Sequence, residues 1–114
     1  VVKALGFRYV TMITWTKTVV DVPAGGHGRQ AKGGLGRYHC GVTEQLLFGV
    51  RGNAMVPAPI DRGRTAMWAP RREHSRKPAE QYPIIERASP GPRLEMFARG
   101  PARPGWVAWG LEAR

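Results

Sequence analysis

At 114 residues, 42% of them hydrophobic, the chain suffices for one domain with one core. A formal net charge of +10 and a pI near 11.1 point to a polyanionic partner, nucleic acid first, although a basic surface with no partner has the same numbers. Its single cysteine, Cys40, excludes an internal disulfide and a cysteine-built zinc site, and no apolar run approaches the length of a membrane span.

The lone cysteine suits a reducing, cytoplasmic compartment, and the amino end carries no apolar signal core. Val1 to Leu5 followed by Gly6 resembles a helix tail stopped by glycine. Arg8 to Trp15 is dense in β-branched and aromatic residues and predicts a strand. A domain rarely opens on a helix tail, so we expect more chain before Val1.

Residues 18–43 are rich in glycine and lack apolar periodicity, and the stretch exceeds usual loop lengths. With Arg29, Lys32 and Arg37 it predicts a flexible basic loop able to ride over phosphates, or else a plain surface loop. Gly26-His-Gly28-Arg-Gln-Ala31 matches a dinucleotide fingerprint in form only, because Lys32-Gly-Gly-Leu-Gly36 follows where a helix would have to begin.

Glu44 to Arg51 predicts a buried strand closed by the turn pair Gly52-Asn53. Ala54 to Gly63 reads as loop, Arg64 to Ala69 as a short strand, and Pro70 to Lys77 as a basic loop. Pro78 opens a helix, and Pro83 within it predicts either a kink or a late start. Ser89-Pro-Gly-Pro92 turns the chain into a strand from Arg93 to Ala98, and Trp106 to Trp109 is a last short strand. Strands alternating with a helix imply an α/β sheet with its site at strand ends. The stretch from Glu73 to Arg99 combines a basic loop, a helix and a strand tip ending on arginine, which suits a site for a charged ligand.

Taken together, several strings resemble the MT-A-70-like family of S-adenosylmethionine-dependent adenine-N6 methyltransferases. They are Trp15-Thr-Lys17-Thr, Glu44-Gln-Leu-Leu-Phe-Gly-Val-Arg-Gly-Asn53, His74-Ser-Arg-Lys-Pro78, Ile85-Glu86, Ser89-Pro-Gly, Leu94-Glu-Met-Phe-Ala-Arg99, and Gly105-Trp106 with Trp109-Gly110. Their order and spacing carry the resemblance, which runs from about Gly6 to Glu112. It implies a Rossmann-like methyltransferase fold in permuted motif order, here N-terminally truncated. The family's catalytic Asp-Pro-Pro-aromatic motif is not in this sequence, and Asp21-Val-Pro-Ala is no substitute. The expectation is therefore a single partial domain whose catalytic strand lies upstream of Val1, inactive alone.

By the same resemblance, Lys77 pairs with the methionine carboxylate of S-adenosylmethionine, with a solvated lysine as the duller reading. Phe97 and Arg99 lie along the adenosine, Glu95 near the ribose, and Glu112 in the closing cofactor motif. Phe97 could equally be core and Glu95 an ordinary surface glutamate. Alternation along the strand places Glu95 on one face with Phe97 and Arg99. Leu111 stands where the family carries an Asn that bonds the ribose. Glu44 matches an acid near the substrate adenine, or is a salt-bridged acid at the strand entry. His74, Ser75 and Arg76 fall in the loop that closes on substrate. No metal is expected. The partner implied is nucleic acid, DNA before RNA by analogy with compact bacterial and phage members, with a homo- or hetero-dimer possible. The alternatives are an inactive nucleic-acid-binding partner subunit and a basic coat protein. The pocket as a whole depends on Lys77 and the 95–99 strand tip converging.

Overall fold

The most β-prone run in the sequence becomes the strand on which the larger sheet is built. The structure, a computed structural model, describes residues 1–19, 36–53, 55–73 and 76–113. β1 (Arg8–Thr18) runs three residues past the predicted end, because Thr16 and Thr18 also pair with a neighbouring strand. β2 (Thr43–Val50) lies antiparallel on one side and β3 (Ala66–Pro70) parallel on the other, in the order β2-β1-β3. The register between β1 and β2 shifts between Tyr9 and Thr11, a bulge that twists the amino end of β1.

The residues before β1 form the end of a helical turn. The Gly6 N–H donates to the Lys3 carbonyl and the Phe7 N–H to the Val2 carbonyl, with Gly6 at φ 80°. This is the Schellman pattern, which needs a left-handed residue that glycine adopts without a Cβ penalty. The sequence-based expectation of a glycine-stopped turn thus holds locally. The predicted flexible loop falls largely outside the described residues, as do its Arg29 and Lys32.

One face of the sheet carries the core. Trp15, Met67 and Ala69 are buried there, with Ile13, Leu46 and Ile84 packed against them. Ile84 comes from α1 (Gln81–Ala88), which starts three residues later than predicted. Residues 78–82 first make three-residue turns, Gln81 N–H to Pro78 carbonyl and Tyr82 N–H to Ala79 carbonyl. Pro83 then falls in the first turn of α1, where a missing N–H breaks no helical bond, so a late start resolves what would otherwise be a kink. A short 3-10 turn at Pro59–Asp61 occupies part of the segment read as loop.

β4 (Arg93–Met96) and β5 (Trp106–Trp109) form a second, parallel two-stranded sheet, extended by an Arg99–Glu112 bridge. β4 stops two residues short of expectation because Phe97 adopts φ 61°, which ends regular extension. The helix joins the two sheets. Ile84 meets the Trp15 cluster, while the Trp106 indole donates to Glu86 at 2.8 Å and the Tyr82 ring meets Trp106 edge to face. The Arg93 guanidinium caps the end of α1 by donating to the carbonyls of Glu86 and Ser89, where a cation also opposes the helix dipole. The architecture is mixed α/β with two small sheets rather than one continuous sheet among the described residues.

Candidate functional site

In parallel α/β sheets, ligands sit outside the carboxyl ends of the strands. Both parallel pairs here bring candidate residues to that end: Lys17 and Thr18 on β1, and the residues just after β4 and β5. They form two separate clusters.

The first is built on the β1–β2 ladder. Glu44 stands opposite Trp15, and its Oε2 accepts from the Lys77 ammonium at 2.7 Å. Oε1 lies 3.2 Å from the Lys17 ammonium, which also rides over the Trp15 ring at 5.4 Å. The hydrogen bond from Lys77 is the main cause holding the Glu44 carboxyl below the usual range; burial pushes the other way and Lys17 adds to the lowering. Lys77 directly precedes Pro78, which is fully buried and anchors the loop end. Arg72 forks onto both oxygens of Glu80, at 3.0 and 2.9 Å, and depresses that carboxyl in turn. Arg76 reaches Glu73 at only 3.7 Å and both are exposed, so that pair fixes little. The candidates His74 and Ser75 lie outside the described residues.

A depressed carboxylate contributes stability that is present above its unfolded value and lost as pH falls through its folded one. Glu44 therefore stabilises the fold above its ordinary value near 4.5 and ceases to do so in more acidic solution. The melting temperature of Glu44→Gln should lie below that of the parent at neutral pH, and the gap should close as the solution is acidified below that value. Thermal melts across pH 3 to 7 measure it; a gap independent of pH would remove the ion pairs from the account.

The second cluster is a cleft of about 270 Å³ lined by Phe97, Ala98, Arg99, Leu111 and Glu112. Its walls are held by the backbone: the Ala98 N–H donates to the Trp109 carbonyl at 3.0 Å and the Gly100 N–H to Glu112 at 2.8 Å. Phe97 is 76% exposed and meets Trp109 edge to face, so it is not a core residue. Leu111 is 99% exposed, an apolar side chain with no packing to explain it.

Glu95 belongs to neither cluster, which corrects the expectation of a shared face. It accepts from the Tyr82 hydroxyl at 2.9 Å on the side of β4 that meets α1. The left-handed backbone at Phe97 breaks the strand alternation, leaving Phe97 and Arg99 exposed while Glu95 is half-buried. Burial raises the Tyr82 hydroxyl above its usual value, and the bond to Glu95 adds to this. The five expected cofactor residues thus divide: Phe97, Arg99 and Glu112 share the cleft, Lys77 engages Glu44, and Glu95 holds the helix. Lys77 is not among the residues lining this cleft; its ammonium lies on Glu44 instead. Sequence reasoning assigned no role to Lys17. Its place two residues from Trp15, on the face that meets Glu44, was the available signal.

Among the described residues, no three His, Cys, Asp or Glu side chains gather as a metal site, and no helix is long and apolar enough to cross a membrane.

The fold and the two clusters do not by themselves assign a family, and comparison with known proteins does. The MT-A70 family model matches residues 1–112. A protein of Oryza sativa subsp. japonica, named as a probable N(6)-adenosine-methyltransferase MT-A70-like, is 37% identical over 112 residues, covering 92% of this chain and 14% of that protein. The N(6)-adenosine-methyltransferase MT-A70-like of Arabidopsis thaliana is 35% identical, with 92% and 15% covered. The N(6)-adenosine-methyltransferase subunit METTL3 of Danio rerio is 34% identical, with 92% and 17% covered. The chain belongs to the MT-A70 family. It spans only 14–17% of the length of these relatives. They come from plants and a fish and are named for adenosine, so they lend no support to the expected bacterial or phage DNA enzyme.

Proposed function

We infer that this chain is the cofactor-gripping part of an S-adenosylmethionine-dependent adenine-N6 methyltransferase with a Rossmann-like, permuted fold. The observation that carries the reading is the cleft at the carboxyl ends of β4 and β5 in a chain of this family. The donor set suits a nucleoside: an exposed ring for a purine, a carboxylate for hydroxyl donors, and a guanidinium with several fixed N–H groups. Phe97, Arg99 and Glu112 would hold the adenosyl half. Lys77 would take the methionine carboxylate, and to do so must leave Glu44, whose other oxygen stays with Lys17. When bound, the cofactor supplies an electrophilic methyl on sulfonium.

Glu44, ionised between its two lysines, is the acceptor available to an adenine amine, and Arg76 lies on the same loop as Lys77 for phosphates. The Asp-Pro-Pro-aromatic motif, which in the resembled family grips the amine from the other side, does not occur in these 114 residues. The relatives' names specify adenosine, the ribonucleoside, so RNA stands beside the DNA first expected. The zebrafish relative is named a subunit, which supports a working assembly with a second chain.

Titration calorimetry with S-adenosylmethionine tests the reading. The full chain should bind it, Arg99→Ala should weaken binding about tenfold, the scale of one charged hydrogen bond, and Leu111→Asn should tighten it. Binding of adenine-bearing RNA and DNA oligonucleotides, compared side by side, then identifies the substrate class. The bare, fully exposed Leu111 favours a second reading, an inactive partner subunit that binds nucleic acid only. Oligonucleotide binding with no cofactor heat, even with Asn at 111, would establish that reading instead.

A further inference from the structure

Lys17 is the most enclosed of the site's cations, with its side chain 16% exposed against 58% for Lys77. Its surroundings are rigid. Its backbone N–H donates to Val42 at 2.8 Å, two residues before Glu44, so the strand ladder itself sets it diagonally across from that carboxylate. The indole beneath it is fixed too, since Trp15 Nε1 donates to the Ala69 carbonyl at 2.9 Å. Lys77, by contrast, reaches Glu44 from a loop.

Packing alone does not account for an ammonium at this position. A methionine would cover the Trp15 ring as well and bring no charge to desolvate. The charge does one thing a methionine cannot: it holds Oε1 of Glu44 while leaving Oε2 to a second donor. We propose that Lys17 is a positioning residue for Glu44, orienting the carboxylate so that Oε2 receives an N–H of the adenine amine once Lys77 has turned to an anion. This rests on the methyltransferase reading. An acceptor held in that direction aligns the amine and offsets the positive charge that develops on it. Two lysines on one carboxylate also keep Glu44 ionised when Lys77 leaves, because Lys17 remains.

The test compares Lys17→Met and Lys17→Arg in the full chain. Carbon-13 titration of the Glu44 carboxyl should show its midpoint rising toward the ordinary glutamate value in Lys17→Met and returning in Lys17→Arg. Affinity for an adenine-bearing single-stranded oligonucleotide should fall about tenfold in Lys17→Met, with affinity for S-adenosylmethionine falling by less and the melting temperature no lower than that of Glu44→Gln. An unmoved Glu44 titration, or a cofactor affinity that falls as far as oligonucleotide affinity, would overturn the assignment. Should the parent fail to bind cofactor, the methyltransferase reading fails, and the carboxyl titration still decides whether Lys17 governs Glu44.

Discussion

Trp15→Ala should lose about 3–5 kcal/mol of stability, the range for removing a large aromatic side chain from a core. Trp15 is 2% exposed and is the largest member of the small buried cluster it forms with Met67 and Ala69, against which Ile13, Leu46 and Ile84 pack. Its indole also supplies the hydrogen bond to the Ala69 carbonyl, worth about 1 kcal/mol more if left unmade. Domains of this size hold only about 5–15 kcal/mol in total, so the variant should lose its cooperative transition or melt far below the parent. Trp15→Phe should lose less, since it keeps one aromatic ring in the core while removing the N–H and part of the indole volume. Denaturant unfolding followed by near-ultraviolet circular dichroism measures both. A Trp15→Ala protein within 1 kcal/mol of the parent would mean that the core lies elsewhere.

Gly110→Ala should cost about 1–3 kcal/mol and weaken cofactor binding together with it. A Cβ at this position would come within 2.9 Å of the Ala98 nitrogen, 3.0 Å of Phe97 Cα and 3.1 Å of the Ala98 oxygen. All three are backbone atoms and none can swing aside. The end of β5 would have to withdraw from the Phe97 corner, straining the Ala98 to Trp109 hydrogen bond and parting the two walls of the cleft. Gly41→Ala is the matching control, because a Cβ there meets nothing within 4 Å. Calorimetry with S-adenosylmethionine and thermal melts should separate the pair. Equal behaviour of the two variants would show that the close approach of β5 to the Phe97 corner does not shape the site.

The two variants probe features of different legibility. The strand holding Trp15 was readable because Arg8 to Trp15 is almost all β-branched or aromatic, and local sterics favour extension there. The close approach at Gly110 was not, since nothing local to Trp109-Gly110 says which backbone will lie against it. The strand from Arg93 was read correctly at its start and two residues too long at its end. Phe97 has no intrinsic preference for a left-handed backbone, so its conformation answers to the surrounding structure. That torsion ends the alternation after Met96, so Phe97 and Arg99 are exposed while Glu95, inside β4, meets Tyr82.

From residues alone came the strand-forming runs, the glycine-stopped turn before Arg8, a disturbance of the helix at Pro83 (as a kink or a late start) and, through the order of its motifs, membership of the MT-A70 family. These depend on residues within a few positions of one another, or on pattern alone. It took the folded chain to reveal that β3 joins β1 in parallel, that Glu44 is shared between Lys17 and Lys77, and that one cleft gathers Phe97, Arg99 and Glu112. Each of those contacts joins residues far apart in the chain, or hangs on a backbone angle imposed from outside, and charge and propensity along a sequence contain no term for either.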